Sequence, residues 1–185
     1  MERNPALAAS GVVAGGVALG SVLLATMVSP SFRWTGNALS DLGVAVLGWV
    51  FAAFLWLEAD TRGERVVAVL LALTLAAMAG VAVFPQGTGP HLPMAGAFYL
   101  LVTVTIWADA VVVRGTEEGR RGAVAAWLGA ANVAAWLLWA ATGPVQRPGA
   151  AMPEIVGALV FALWILSTAI RLTRWEPAVN RSPAR

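Results

Sequence analysis

Six long apolar runs, with nearly all the charge confined to the short segments between them, constrain this chain more than any other feature. About 20 apolar residues are what a helix needs to cross a ~30 Å hydrocarbon core. Within that core a helix satisfies every backbone polar group inside one segment. The runs fall at about 6–28, 40–57, 66–84, 92–113, 122–142 and 153–170. The sequence therefore predicts an all-α fold, an integral membrane bundle of six transmembrane helices in the cell membrane. Six such spans in 185 residues leave only connections, so a single domain with no extramembrane part is expected. The first run, which follows Arg3, is too long for a typical signal-peptide core and lacks a small-x-small cleavage site after it, so it reads as a retained span.

All twelve cationic side chains are arginine, and their placement sets the expected topology. Arg3 precedes the first run; Arg62 and Arg65, then Arg114, Arg120 and Arg121, lie in alternate loops; Arg171, Arg174, Arg181 and Arg185 follow the last run. Only Arg33 and Arg147 fall on the other side. Excess arginine in short loops marks the cytoplasmic side, so both termini are expected there.

Composition narrows the function classes. Charged residues make up 12% of the chain, about half the ~25% usual in soluble domains. A pI near 10.4 with a net charge of only +2 is explained by the loop arginines, so no nucleic-acid partner is expected; membrane lipids are. With no cysteine and a single histidine, thiolate chemistry and a three-histidine zinc site are excluded. No phosphate-binding loop, metalloprotease helix motif or nucleophile elbow occurs, and no cofactor is implied. Oligomeric state is left open.

Several residues carry packing expectations. Gly11/Gly15 and Gly16/Gly20 form small-xxx-small ladders on the first span, expected to pack inside the bundle rather than form a homodimer face. Asn132, in mid-span, is expected to face another helix and bond to Thr103, Thr105 or a backbone carbonyl. Trp34, Trp56, Trp107, Trp127 and Trp175 lie near predicted interfaces, where indole anchors a helix. Asp109, about a turn inside the fourth span, is expected to pair with Arg114 or another arginine of that side.

The chemistry that points to function gathers on the opposite, outer side. Spans two, four and six begin there, near Asp41, His91 and Glu154, with Arg33 and Arg147 in the adjoining loops. Sixteen-residue stretches, Asp41 to Glu58 and Glu154 to Arg171, correspond to about 24 Å of helix at ~1.5 Å per residue, so both acids are expected at the membrane boundary or just below it. Three readings stand. In the first, Ser40 is an N-cap, Asp41 and Glu154 sit in first turns, and Arg33 and Arg147 neutralise them. In the second, Arg33, Ser40, Asp41, His91, Arg147 and Glu154 line a pocket for a lipid head group or small anion, in a sensing, accessory or lipid-organising role without catalysis. In the third, Asp41, His91 and Glu154 serve a membrane-embedded hydrolase or transferase, or hold a metal, although they lack diagnostic spacing.

The run Asn37-Ala38-Leu39-Ser40-Asp41-Leu42-Gly43, the Phe84-Pro85 to His91 loop, and Pro153-Glu154 together resemble the prokaryotic six-span family catalogued as domain of unknown function 998. A fainter similarity, a Ser-Asp run followed later by Pro-Glu, reaches the DRAM-like membrane family. The resemblance implies a six-helix fold with an outer polar site and brings no established reaction. The chain departs from the family pattern after Gly43, where a small-polar stretch with an asparagine gives way to Val44-Ala45-Val46-Leu47 and Trp49; this argues against a large polar pocket there.

Overall fold

The structure, a computed structural model, describes residues 11–13, 15–17, 20, 34–84, 87–114, 116, 119–142 and 150–173; for 34–44, 151 and 173 it describes the backbone only. Among these residues the chain is helical and contains no strand. Five helices follow one another: α1 Trp34–Glu58, α2 Arg62–Val83, α3 His91–Arg114, α4 Gly119–Ala141 and α5 Ala151–Thr173. The described residues between 11 and 20 are also helical and precede them. Four segments are long and apolar enough to cross a membrane, namely α2, α3, α4 and Met152–Leu172 of α5, while α1 adds the apolar stretch Ala45–Glu58. The fold is an all-α membrane bundle of about six helices.

Local sequence explains where these helices begin. Thr61 and Glu64 form a reciprocal capping box at the start of α2: the Glu64 amide donates to Thr61 Oγ1 at 3.2 Å and the Thr61 amide to Glu64 Oε2 at 2.8 Å. Two otherwise orphaned donors are thereby satisfied. Gly87, at φ 92°, supplies the left-handed residue that turns the chain between α2 and α3. Pro93 and Pro153 both fall in first helical turns, where a missing N–H costs nothing.

Two expectations about α1 and α5 do not hold. The second span was expected from residue 40, yet α1 begins at Trp34 and is 25 residues long. Ser40 and Asp41 therefore lie about two turns inside α1, so Ser40 is not an N-cap and Asp41 is not in a first turn. Nor are the second and sixth helices short, since α5 has 23 residues. The cause is that helix propagates through the small polar residues Thr35, Gly36, Asn37 and Ser40, which hydropathy alone leaves out of the span. Glu154 does occupy the first turn of α5.

Consecutive helices pack in order, α1 on α2, α2 on α3, α3 on α4 and α4 on α5, with α3 also meeting α5. The first helix closes the ring: a Cβ on Gly11 would lie 2.6 Å from the Phe51 ring and 2.8 Å from Ala169 Cβ, and one on Gly15 would lie 3.1 Å from Leu166 Cβ. Gly11 and Gly15 thus pack within the bundle, between α1 and α5. Among the described residues, a Cβ on Gly16 or Gly20 would meet nothing within 4 Å. Phe51, Leu71, Leu75, Val102, Ile106, Trp164 and Ile165 form the fully buried core.

Several polar groups inside the bundle bond between helices, where a hydrocarbon surround offers no water. Asn132 Nδ2 donates to Thr103 Oγ1 at 2.9 Å and to the Tyr99 carbonyl at 3.2 Å, joining α4 to α3 as its mid-span position predicts. Thr74 and Thr105 meet at 3.0 Å between α2 and α3. The indoles of Trp49 and Trp107 donate to the carbonyls of Ala72 and Ala126 on the next helix. Of the tryptophans expected as anchors, Trp56, Trp107 and Trp127 are exposed, whereas Trp34 has only its backbone described and Trp175 lies outside the described residues.

Candidate functional site

At the end of the bundle that carries Arg62, Arg65, Arg114, Arg120 and Arg121, five helices surround a cavity of about 410 Å³. Each helix contributes through its terminal turns. The end of α1 brings Leu55 and Glu58, with Ala59 just beyond; the start of α2 brings Glu64 and Val67. From the end of α3 come Asp109, Val112 and Val113, with Thr116 following; α4 supplies Arg121. Trp164, Thr168, Arg171 and Leu172 complete the lining from α5. A void of this size falls within the ~300–1,000 Å³ range of ligand sites and is far larger than the ~30 Å³ a water occupies.

A partly buried ion pair sits within the lining. Arg121 Nη2 reaches Asp109 Oδ2 at 2.8 Å and Oδ1 at 3.1 Å, and donates to Thr168 Oγ1 at 3.1 Å. The Trp164 indole donates to Asp109 Oδ2 at 2.9 Å. One carboxylate thus joins α3, α4 and α5, and the pairing expected of Asp109 is made with Arg121. Charge-assisted bonds of this kind are shorter and stronger than neutral ones. Trp164 and Thr168 reach the pair together because residues four apart share a helix face. Glu64 accepts from the backbone of Asp60 and Thr61 and from the Thr61 hydroxyl, which fixes the carboxylate at the rim.

The polar residues expected to form an outer pocket are only partly brought together. His91, the first residue of α3, is half-buried, and its Nδ1 lies 2.8 Å from the Phe84 carbonyl. A carbonyl only accepts, so Nδ1 carries the proton of this bond. Glu154, also half-buried, interacts electrostatically with His91. An electrostatic interaction thus links the imidazole at the start of α3 to the carboxylate in the first turn of α5. Only the backbones of Ser40 and Asp41 are described, and Arg33 and Arg147 lie outside the described residues. Among described residues no group of three histidines or acids stands close enough to hold a metal ion.

Of the cavity residues, sequence reasoning singled out only Asp109. Arg121 and Arg171 enter the sequence reading through topology and Glu58 through helix length, and Trp164 and Thr168 lie in an apolar run that hides their shared face. The usable signal was the Thr61-x-x-Glu64 capping pattern, together with one acid, one indole and one hydroxyl near the same ends of α3 and α5.

No curated protein and no solved structure matches this chain. The family model described as "Protein of unknown function (DUF998)" matches residues 12–171, nearly the whole chain and every helix described above, and the chain belongs to that family.

Proposed function

We propose that this protein is a non-enzymatic membrane protein that binds a polar lipid head group, and that the head group occupies the cavity at the arginine-rich end. The observation carrying this reading is the cavity itself: apolar walls from Leu55, Val67 and Val112, and ionisable groups of both signs, at the end of a membrane bundle. An amphiphile matches that mixture, because its chain stays beside the apolar helices while its head replaces lost hydration with fixed charges. The test is lipid retention by the full chain, measured by native mass spectrometry from nanodiscs, for the wild type and Thr116→Trp. Thr116 is exposed at the rim, so a tryptophan narrows the mouth without entering the core. Wild type should retain lipid saturably and the variant should not, at equal helicity. Equal retention by both would refute the reading.

A second reading is favoured by the electrostatic interaction of His91 with Glu154. Here the head group, or a small anion, binds at the opposite, outer end, with Arg33, Ser40, Asp41 and Arg147 completing the site. Loss of retention in Glu154→Gln or His91→Ala, with Thr116→Trp unaffected, would favour this site. A turnover abolished by Asp41→Asn would favour the enzymatic alternative.

A further inference from the structure

We infer that a site between α3, α4 and α5, in the half of the bundle away from the arginine-rich cavity, binds one neutral hydroxyl through Asn132 and Trp136. The site is independent of that cavity. Asn132 Oδ1 and Trp136 Nε1 are both buried, and among the described residues neither finds a hydrogen-bond partner. The Tyr99 carbonyl settles the orientation of the Asn132 amide: a carbonyl only accepts, so Nδ2 faces it, at 3.2 Å, and Oδ1 points the other way. One acceptor and one donor thus stand four residues apart, on one face of α4. A helical side chain leans toward the N-terminus of its helix, which carries the Trp136 ring back over the turn of Asn132. Tyr99 marks where they meet. Its ring lies 5.2 Å from the Trp136 ring, and a Cβ on Gly157 would stand 2.6 Å from Tyr99 Cδ1 and 2.8 Å from Asn132 Oδ1.

Two neutral polar atoms select against charge. Trp136 and Asn132 precede the end of α4 at Ala141 by about 8 and 14 Å of helix at ~1.5 Å per residue, a depth at which an ionised group is costly. An ester or ketone oxygen can accept from the indole but has no proton for Oδ1, and an ammonium can donate but cannot accept. A hydroxyl does both. The bilayer gives access to the pair. Trp136 is half-buried with its N–H side turned inward, and Leu137 and Leu138 beside it are exposed. Of the four helices long and apolar enough to span, α4 has the smallest share buried. A hydroxyl carried on acyl chains, such as the alcohol of a diacylglycerol, can therefore approach sideways from lipid; water is the other source of the same chemistry.

The test compares dioleoylglycerol with its acetate ester, which keeps both chains and lacks the hydroxyl, on the full chain in nanodiscs, with retention read by native mass spectrometry. Wild type should retain the alcohol saturably and the ester at least about fivefold less, the worth of one neutral hydrogen bond. Trp136→Phe keeps an aromatic ring against Tyr99 and removes the donor, so it should weaken retention of the alcohol by a similar factor at unchanged helicity. Thr116→Trp, at the opposite end, should leave it unchanged. The indole proton of Trp136, identified in NMR spectra by its loss in Trp136→Phe, separates the two sources. Its resonance should shift with added dioleoylglycerol where the lipid supplies the hydroxyl, and should show a cross-peak to water, with no response to the lipid, where water does. Equal retention of alcohol and ester, together with an indole proton that senses neither lipid nor water, would overturn the site. Retention lost in Thr116→Trp and kept in folded Trp136→Phe would assign the alcohol to the arginine-rich cavity instead, so the two sites fail separately.

Discussion

Two buried side chains show how differently a polar residue can be placed in a membrane bundle. Asn132 joins α4 to α3 through its amide nitrogen, while its Oδ1 is buried with no hydrogen-bond partner and faces Gly157, where a Cβ would lie 2.8 Å away. The amide therefore gains on one side only, and Asn132→Leu should lower stability by ~0.5–2 kcal/mol, within the range of interhelical hydrogen bonds in membranes. A thermal or denaturant comparison in one detergent measures it, and an unchanged or raised midpoint would contradict it. Asp109 is fully engaged: Asp109→Leu removes the carboxylate from beside the Arg121 guanidinium in a partly buried site, whereas Asp109→Leu with Arg121→Leu removes both charges. Breaking such a pair costs ~3–5 kcal/mol, and replacing both partners by apolar groups is often nearly neutral. The double variant should therefore be more stable than the single one. A double variant at least as unstable as the single one would mean that the carboxylate's bond from Trp164, and not its pairing with Arg121, holds the three helices.

At the scale of helices, the first span shows two glycine pairs with different roles. A Cβ on Gly11 would meet the Phe51 ring and Ala169 Cβ, and neither offers the flexible end of a long side chain that moves cheaply aside; one on Gly16 would meet nothing among the described residues. Gly11→Val should destabilise the bundle by ~1–3 kcal/mol, the usual cost of overpacking, and Gly16→Val should be near neutral in the same assay. A large loss in Gly16→Val, accompanied by loss of a dimer, would instead identify that face as an interface between copies. The sequence alone distinguished these pairs no further than noting that both ladders exist, because spacing says which residues share a face and not what the face meets. Hydropathy located α2, α3 and α4 closely, since arginines, prolines and glycines punctuate their ends. It misplaced the start of α1, where Thr35, Asn37 and Ser40 lower hydropathy without breaking the helix. Asn132 was legible because an amide in hydrocarbon has one physical solution. The cavity was not legible, because its lining comes from the terminal turns of five helices, and only the tertiary arrangement brings Glu58, Arg121 and Arg171 around one space.

For the whole molecule, the remaining question is which compartment each end of the bundle faces. The arginine-rich end contains the cavity, and His91 and Glu154 mark the other end. Arginine in short loops resists translocation, so the cavity should open to the cytoplasm and the imidazole–carboxylate pair should face outward. The chain has no cysteine, so single cysteines can report exposure without background. Gly89 lies in the α2–α3 turn and Thr116 just beyond α3, both exposed and separated by the full length of that helix, about 36 Å for 24 residues. In intact cells a membrane-impermeant thiol reagent should label Gly89→Cys and should reach Thr116→Cys only after permeabilisation. Reporter fusions give an independent measurement: one active only in the cytoplasm, fused after Arg185, and one active only outside, inserted near Gly89, should both give signal. The reverse labelling pattern would put the cavity on the outer face, and its head group would then have to come from the outer leaflet or the surrounding medium. Equal labelling of both sites in intact cells would mean that the helix between them does not span the membrane.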